Sequence, residues 1–184
     1  MQRLIIITGD LAAGKSTLAA SISEELNIPF ITKDSLKEIA CDIFGYHTRQ
    51  ENRLLSVSAV NSMIYFFSQI AKVGQDLIIE ANFRSEELIQ FKAIAEQHYY
   101  RVVLIELTGD VNLLYQRFMD RLNTRHIAHH TLDSDMTLEN FANYIDKIRN
   151  ENLIFAPHEI DMSDLDEEEV VYKALDIVYR EFGK

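Results

Sequence analysis

Residues 9–16 read Gly9-Asp10-Leu11-Ala12-Ala13-Gly14-Lys15-Ser16, the pattern G-x-x-x-x-G-K-[ST], and Thr17 follows. The segment before them, Arg3 to Thr8, is an apolar strand-like run, and the segment after them has helical character. A strand, a glycine-bounded turn and a helix in that order make a cradle for polyphosphate. The backbone N–H groups of the turn converge on the phosphates, and the helix N-terminus adds its dipole. Lys15 reaches the β- and γ-phosphates, and Ser16 offers its hydroxyl to Mg²⁺. The chain holds only six glycines and two prolines, and two of those glycines are used here. Residues 9–17 are therefore the expected nucleotide-binding segment.

The rest of the chain alternates short apolar runs with longer amphipathic ones. Strands are expected at 3–8, 28–32, 76–81, 102–108 and 158–162, and helices at 15–26, 34–44, 50–72, 85–98, 110–123, 137–150 and 166–181. The Val/Ile/Leu-rich runs show little alternation, which fits strands buried on both faces of a parallel sheet. The order predicts an α/β fold. Gly45 and Gly74 fall where left-handed helix C-caps favour glycine. The acidic run Asp164 to Glu169 reads as the first turn of the last helix, where negative charge complements the dipole. At 184 residues a single domain is expected, spanning 1–184.

Ligands of open α/β sheets sit beyond the carboxyl ends of the strands. The second strand runs into Thr32-Lys33-Asp34-Ser35. Asp34 there can take the proton of an attacking hydroxyl, or it can N-cap the helix that follows, and the residue pattern leaves both roles open. The third strand, Asp76-Leu77-Ile78-Ile79-Glu80, ends in an acid suited to orienting Mg²⁺ or its waters, and Asn82 and Arg84 follow. Asp110, after the fourth strand, suits an N-cap.

Arg117, Arg121 and Arg125 recur every four residues, which on one continuous helix keeps them near one side. Arginines on a closing lid can neutralise a transferring phosphoryl group. His126, His129 and His130 follow without an obvious carboxylate or thiolate partner, which argues against zinc. Arg49 and Arg53, also four apart, are expected to face solvent. Tyr46, His47 and Tyr65 fall in the 45–65 stretch, which is expected to shape an acceptor pocket or simply to pack.

Asp and Glu number 29 against 18 Lys and Arg, a formal net charge of −11. That balance argues against a protein that coats nucleic acid, yet a small anionic ligand needs only a local positive pocket. The single Cys41 forbids an internal disulfide. Leu4-Ile5-Ile6-Ile7 is too short for the apolar region of a secretory signal, and no stretch is expected to reach the roughly 20 apolar residues that span a bilayer. A cytoplasmic location without a membrane contact is expected.

Taken together, Gly9-x4-Gly14-Lys15-Ser16-Thr17, Lys33-Asp34-Ser35-Leu36-Lys37-Glu38, Glu80-Ala81-Asn82-Phe83-Arg84 and Arg117-x3-Arg121-x3-Arg125-His126 resemble the small P-loop kinases often described as AAA-family ATPases. These are similar to chloramphenicol phosphotransferase, zeta toxins and the kinase domain of polynucleotide kinase. The resemblance implies a three-layer P-loop NTPase fold with a five-stranded parallel sheet in the order 2-3-1-4-5 and a helical lid at about 110–135. It implies an ATP- and Mg²⁺-dependent phosphotransferase acting on a hydroxyl of a small-molecule acceptor, with Lys15, Asp34, Arg121 and Arg125 as catalytic residues. Asp34 would be the base, Asn82 and Arg84 would face the acceptor, and Ser16 and Glu80 would serve the metal. The segment 157–163 falls where such kinases hold adenine. Related chains continue Arg-His-Pro-Gly-His, whereas this one reads Arg125-His126-Ile127-Ala128-His129. Two other outputs are compatible with the motifs: ATP hydrolysis by a regulatory module, and phosphorylation of a nucleic-acid 5′-hydroxyl.

Overall fold

The computed structural model describes residues 2–132 and 136–183. Its five strands are β1 (Arg3–Gly9), β2 (Phe30–Thr32), β3 (Leu77–Glu80), β4 (Arg101–Thr108) and β5 (Pro157–Asp161). They form one sheet in the order β2-β3-β1-β4-β5, and every pairing is parallel. The expected order 2-3-1-4-5 is the observed one. The helices are α1 (Lys15–Leu26), α2 (Lys33–Phe44), α3 (Arg49–Val73), α4 (Ser85–Gln97), α5 (Val111–Asp120), α6 (Leu138–Arg149) and α7 (Glu167–Phe182).

Three layers follow from the two-residue period of the central strand. Leu4, Ile5, Ile6 and Ile7 of β1 are all fully buried, and successive side chains leave a strand on opposite faces. Ile5 and Ile7 pack with Leu18 and Ile22 of α1, Phe118 of α5, Phe141 of α6 and Val178 of α7. Leu4 and Ile6 pack with Met63 and Phe67 of α3 and with Leu88 and Phe91 of α4. Burying each such side chain contributes about 1.5–3 kcal/mol.

Local signals set most boundaries. Thr48 and Glu51 form a capping box at the start of α3, and Asp166 and Glu169 form another at the start of α7. Gly45 and Gly74 end α2 and α3 with positive φ. Asp110 caps α5, accepting from the backbone N–H of Asn112 and Leu113. The second strand begins only at Phe30, because Pro29 has no N–H to donate to a ladder.

Two expectations are corrected. The helix expected at 110–123 stops at Asp120, and short 3-10 helices at Leu122–Thr124 and Ile127–Leu132 follow it. The Thr124 hydroxyl donates to the Arg121 carbonyl, which offers the backbone an alternative to helix. Arg117, Arg121 and Arg125 therefore do not share a helix. Residues 133–135, the end of the expected lid, lie outside the described residues. The second correction concerns α3, which is long and apolar enough to cross a membrane by length and composition, with a mean hydropathy of 1.4 over eighteen residues. Serines, asparagine and glutamine hide this run from a reading by apolar residues alone. Here α3 buries the stripe Leu55, Ala59, Met63, Phe67 and Ala71 against the protein.

Candidate active site

The loop between β1 and α1 is bent by backbone geometry. Gly9 has φ 119°, and a Cβ on it would come 2.1 Å from the Leu107 carbonyl oxygen. Gly14, the N-cap residue of α1, has φ 87°, and Ala12 has φ 67°. Leu11, Ala12, Gly14, Lys15, Ser16 and Thr17 line a cavity of about 1220 Å³ at the carboxyl ends of the strands. Gly9, Asp10 and Ala13 do not line it.

Asp10 takes a different part from the rest of the loop. Its side chain is 0% exposed and accepts from the Gly109 N–H (3.1 Å) and from Arg149 Nη2 (2.5 Å) and Nε (3.2 Å). Arg149 Nη2 also donates to the Gly109 carbonyl at 2.6 Å. The carboxylate thus ties the loop to β4 and to the end of α6 instead of pointing at the cavity. Its backbone carbonyl accepts from Lys15 Nζ at 2.6 Å.

Lys15 is buried, and burial pushes its pKa below the usual range; Glu80, Asp34 and Asp10 pull the other way. The Ser16 hydroxyl donates to Glu80 Oε2 at 2.9 Å. Burial raises the Glu80 pKa, and Lys15 and the Ser16 hydroxyl oppose that rise. Ser16 and Glu80 present two hard oxygens side by side next to the phosphate cradle. That set fits Mg²⁺, which takes one or two protein oxygens and fills its octahedron with phosphate oxygens and waters. No group of three His, Cys, Asp or Glu suited to a metal occurs among the described residues.

Asp34 is not the cap of α2. Thr32 is, accepting from the Ser35 N–H at 3.1 Å. The Asp34 side chain is 58% exposed and lines the cavity. Behind it lies His129, buried, with Nδ1 4.0 Å from Asp34 Oδ1 and Nε2 2.8 Å from Glu38 Oε1. His126 Nε2 lies 3.0 Å from Asp42 Oδ1. His126 and His129 are thus engaged with α2 carboxylates, whereas His130 Nε2 lies 3.0 Å from the Arg125 carbonyl oxygen. Asn52 Nδ2 donates to the Ala128 carbonyl and the Tyr46 hydroxyl to that of Ile127, so α2 and α3 together fasten the segment 126–130.

Arg121 and Arg125 line the cavity, and burial lowers the Arg121 pKa, with Arg125 and Arg117 adding to the fall. Arg117 does not join them; its Nη1 contacts Met162 Sδ at 3.4 Å. Asn82 and Arg84 line the cavity. The buried Asn82 Oδ1 has no hydrogen-bond partner. Tyr144 of α6 stands beside Asn82; burial raises the phenol's pKa, and the Asn82 side chain opposes this.

Arg49 and Arg53 are exposed, as expected, and they also line the cavity with Asn52 and Ser56 of the same helix. Tyr46, His47 and Tyr65 do not line it. Lys37 and Tyr144 line it without having been singled out. Arg49 carried one usable signal, since a cation in a helix's first turn opposes the dipole. Tyr144 carried none.

The parallel order β2-β3-β1-β4-β5, with the phosphate loop after the central strand, defines the fold of small P-loop kinases. The chain belongs to the AAA-domain family, whose model matches residues 4–149. Among solved structures, it is similar to a protein from Chloroflexus aurantiacus described as a kinase, with a TM-score of 0.77 and 22% identity over 95% of this chain and 97% of that one. A gluconokinase from Sinorhizobium meliloti gives a TM-score of 0.64 at 16% identity, covering 97% and 92%. A shikimate kinase from Aquifex aeolicus gives 0.63 at 17% identity, covering 98% and 99%. No curated protein matches the sequence.

Proposed function

We propose that the protein is an ATP-dependent phosphotransferase that moves the γ-phosphate to a hydroxyl of a small-molecule acceptor. The observation that carries this reading is the Asp34 carboxylate. Thr32 already caps α2, which leaves Asp34 open to the cavity and close enough to Lys15 to influence its charge. Neighbours bearing the names gluconokinase and shikimate kinase support a small acceptor.

Lys15 and the loop N–H groups hold the β- and γ-phosphates. The acceptor oxygen attacks the γ-phosphorus as Asp34 takes its proton; the new O–P bond forms as the bond to the β,γ-bridging oxygen breaks, and ADP leaves. Arg121 and Arg125 neutralise the charge spread over the transferring oxygens. Bound Mg²⁺, held by Ser16 with Glu80 behind it, supplies further charge neutralisation at the phosphates. His129 holds the α2 face on which Asp34 sits. Hydrolysis as the sole output needs no carboxylate aimed at an acceptor, so the position of Asp34 favours transfer.

The test is transfer of labelled γ-phosphate from ATP across a panel of hydroxyl acceptors. With a confirmed acceptor, Asp34→Asn is expected to lose roughly 10²–10⁴ in turnover while binding of the ATP analogue AMPPNP persists. Full turnover by Asp34→Asn would remove the base assignment.

A further inference from the structure

The cavity is far more basic than the protein around it. Eight of the chain's 18 lysines and arginines line it, against three carboxylates. Lys15, Arg121 and Arg125 are accounted for by a triphosphate. Lys33 has Glu87 at 3.8 Å, and Arg84 has Glu86 at the same distance. Lys37, Arg49 and Arg53 remain. None of the three forms an ion pair or a hydrogen bond among the described residues. Lys37 is only 7% exposed, and an ammonium so deeply placed is costly unless an anion meets it. Burial accordingly pushes its pKa down, with Asp34 in partial opposition. Of the carboxylates nearby, Glu38 is engaged by His129, and Asp34 forms no ion pair with Lys37 among the described residues.

The backbone aims these groups into one space. Asp34, Lys37 and Glu38 form one stripe on α2, and Arg49, Asn52, Arg53 and Ser56 form one on α3, both facing the cavity. Arg49 is the first residue of α3, where the helix dipole disfavours a cation and favours an anion. An anion seated there would relieve the dipole, the two guanidinium groups and the buried ammonium together.

We propose that the phosphoryl acceptor carries an oxyanion, a carboxylate or a phosphate ester, that binds Lys37 of α2 with Arg49 and Arg53 of α3. The inference rests on the phosphotransfer reading for the word acceptor, but the anion site itself can be measured without any turnover. Its place beside Asp34 sets the acceptor's hydroxyl and its anionic group on the same small molecule. A neutral sugar or nucleoside would leave Lys37 unmatched.

The full chain, saturated with Mg²⁺ and AMPPNP so that the γ-phosphate position is filled, is titrated calorimetrically with sulfate and with acetate at constant ionic strength. Saturable binding of one anion is expected, weakened at least tenfold in Lys37→Met, weakened in Arg53→Met, and restored in Lys37→Arg. Tighter sulfate points to a phosphate ester, and tighter acetate to a carboxylate. No saturable binding, or equal binding by Lys37→Met, would overturn the proposal. So would a Lys37→Met variant that loses AMPPNP affinity and keeps anion affinity, since Lys37 would then serve the γ-phosphate. In parallel, transfer to gluconate and ribose 5-phosphate is compared with transfer to glucose and ribose. Equal transfer to the neutral members sinks the anionic acceptor and leaves the kinase reading standing. No transfer to any member, with Lys37-dependent anion binding intact, counts against the kinase reading alone.

Discussion

Removing Arg149 should loosen the phosphate loop from 139 residues away in sequence. The Asp10 carboxylate is fully buried and keeps only the Gly109 N–H when the guanidinium is gone. Breaking a buried pair from one side costs about 3–5 kcal/mol, because the remaining charge is left without compensation. The Arg149 side chain is 36% exposed, so water can enter the vacated space, and the cost of Arg149→Met should fall near the lower end, about 3 kcal/mol. In a chain of this size that is a fall in Tm of about 6–12 °C. Urea denaturation and calorimetry of Arg149→Met, Asp10→Asn and the double variant provide the assay. Asp10→Asn removes the charge that Arg149 neutralises, so the double variant should be less destabilised than the sum of the singles, by about 2 kcal/mol. A loss below about 1 kcal/mol for Arg149→Met, or additive singles, would refute the idea that a buried pair anchors the loop. Because Lys15 Nζ donates to the Asp10 carbonyl, AMPPNP affinity should fall in the same variant.

Gly9→Ala should prevent the native loop from closing, because the new Cβ would sit 2.1 Å from the Leu107 carbonyl oxygen at a φ of 119°; soluble protein with wild-type Tm and AMPPNP affinity would contradict this. The Glu80 pKa is raised by burial, so the folded apoprotein holds that proton more tightly than the unfolded chain. Its contribution to stability is full below the unfolded carboxylate value of about 4.3 and is lost as pH rises through the folded value. Wild-type stability should therefore decline relative to Glu80→Gln as pH is raised from about 4 towards neutrality; parallel stability curves would show that Glu80 is not desolvated.

Much of the frame was legible because it depends on neighbours in the chain. The run Leu4 to Ile7 reads as a doubly buried strand wherever it sits. The loop 9–16 needs its own glycines, lysine and serine, and Asp110, Asp166, Gly45 and Gly74 mark helix ends through bonds within a turn. Legibility failed where local preference was weak. At Asp120 a helix gave way to two 3-10 turns, since Asn123 and Thr124 hold the helix poorly and Thr124 bonds back to Arg121. Arg117 does not line the cavity, while Arg121 and Arg125 do. Asp34 had two local roles of similar merit, and the Thr32–Ser35 bond gives the cap to Thr32.

The sequence by itself determined that this chain cradles phosphate and builds a parallel α/β sheet, because strand period, turn chemistry and helix capping act over a few residues. Only the tertiary structure decided what surrounds the phosphate. It brought Arg149 to Asp10, His129 to Glu38, Tyr144 to Asn82, and Lys37 to the cavity shared with Arg49 and Arg53. These meetings depend on how helices pack across the sheet ends, where burial and charge are settled by residues far apart in the chain. A formal net charge of −11 gave no hint of a cavity so rich in cations; the packing of α2 and α3 put them there.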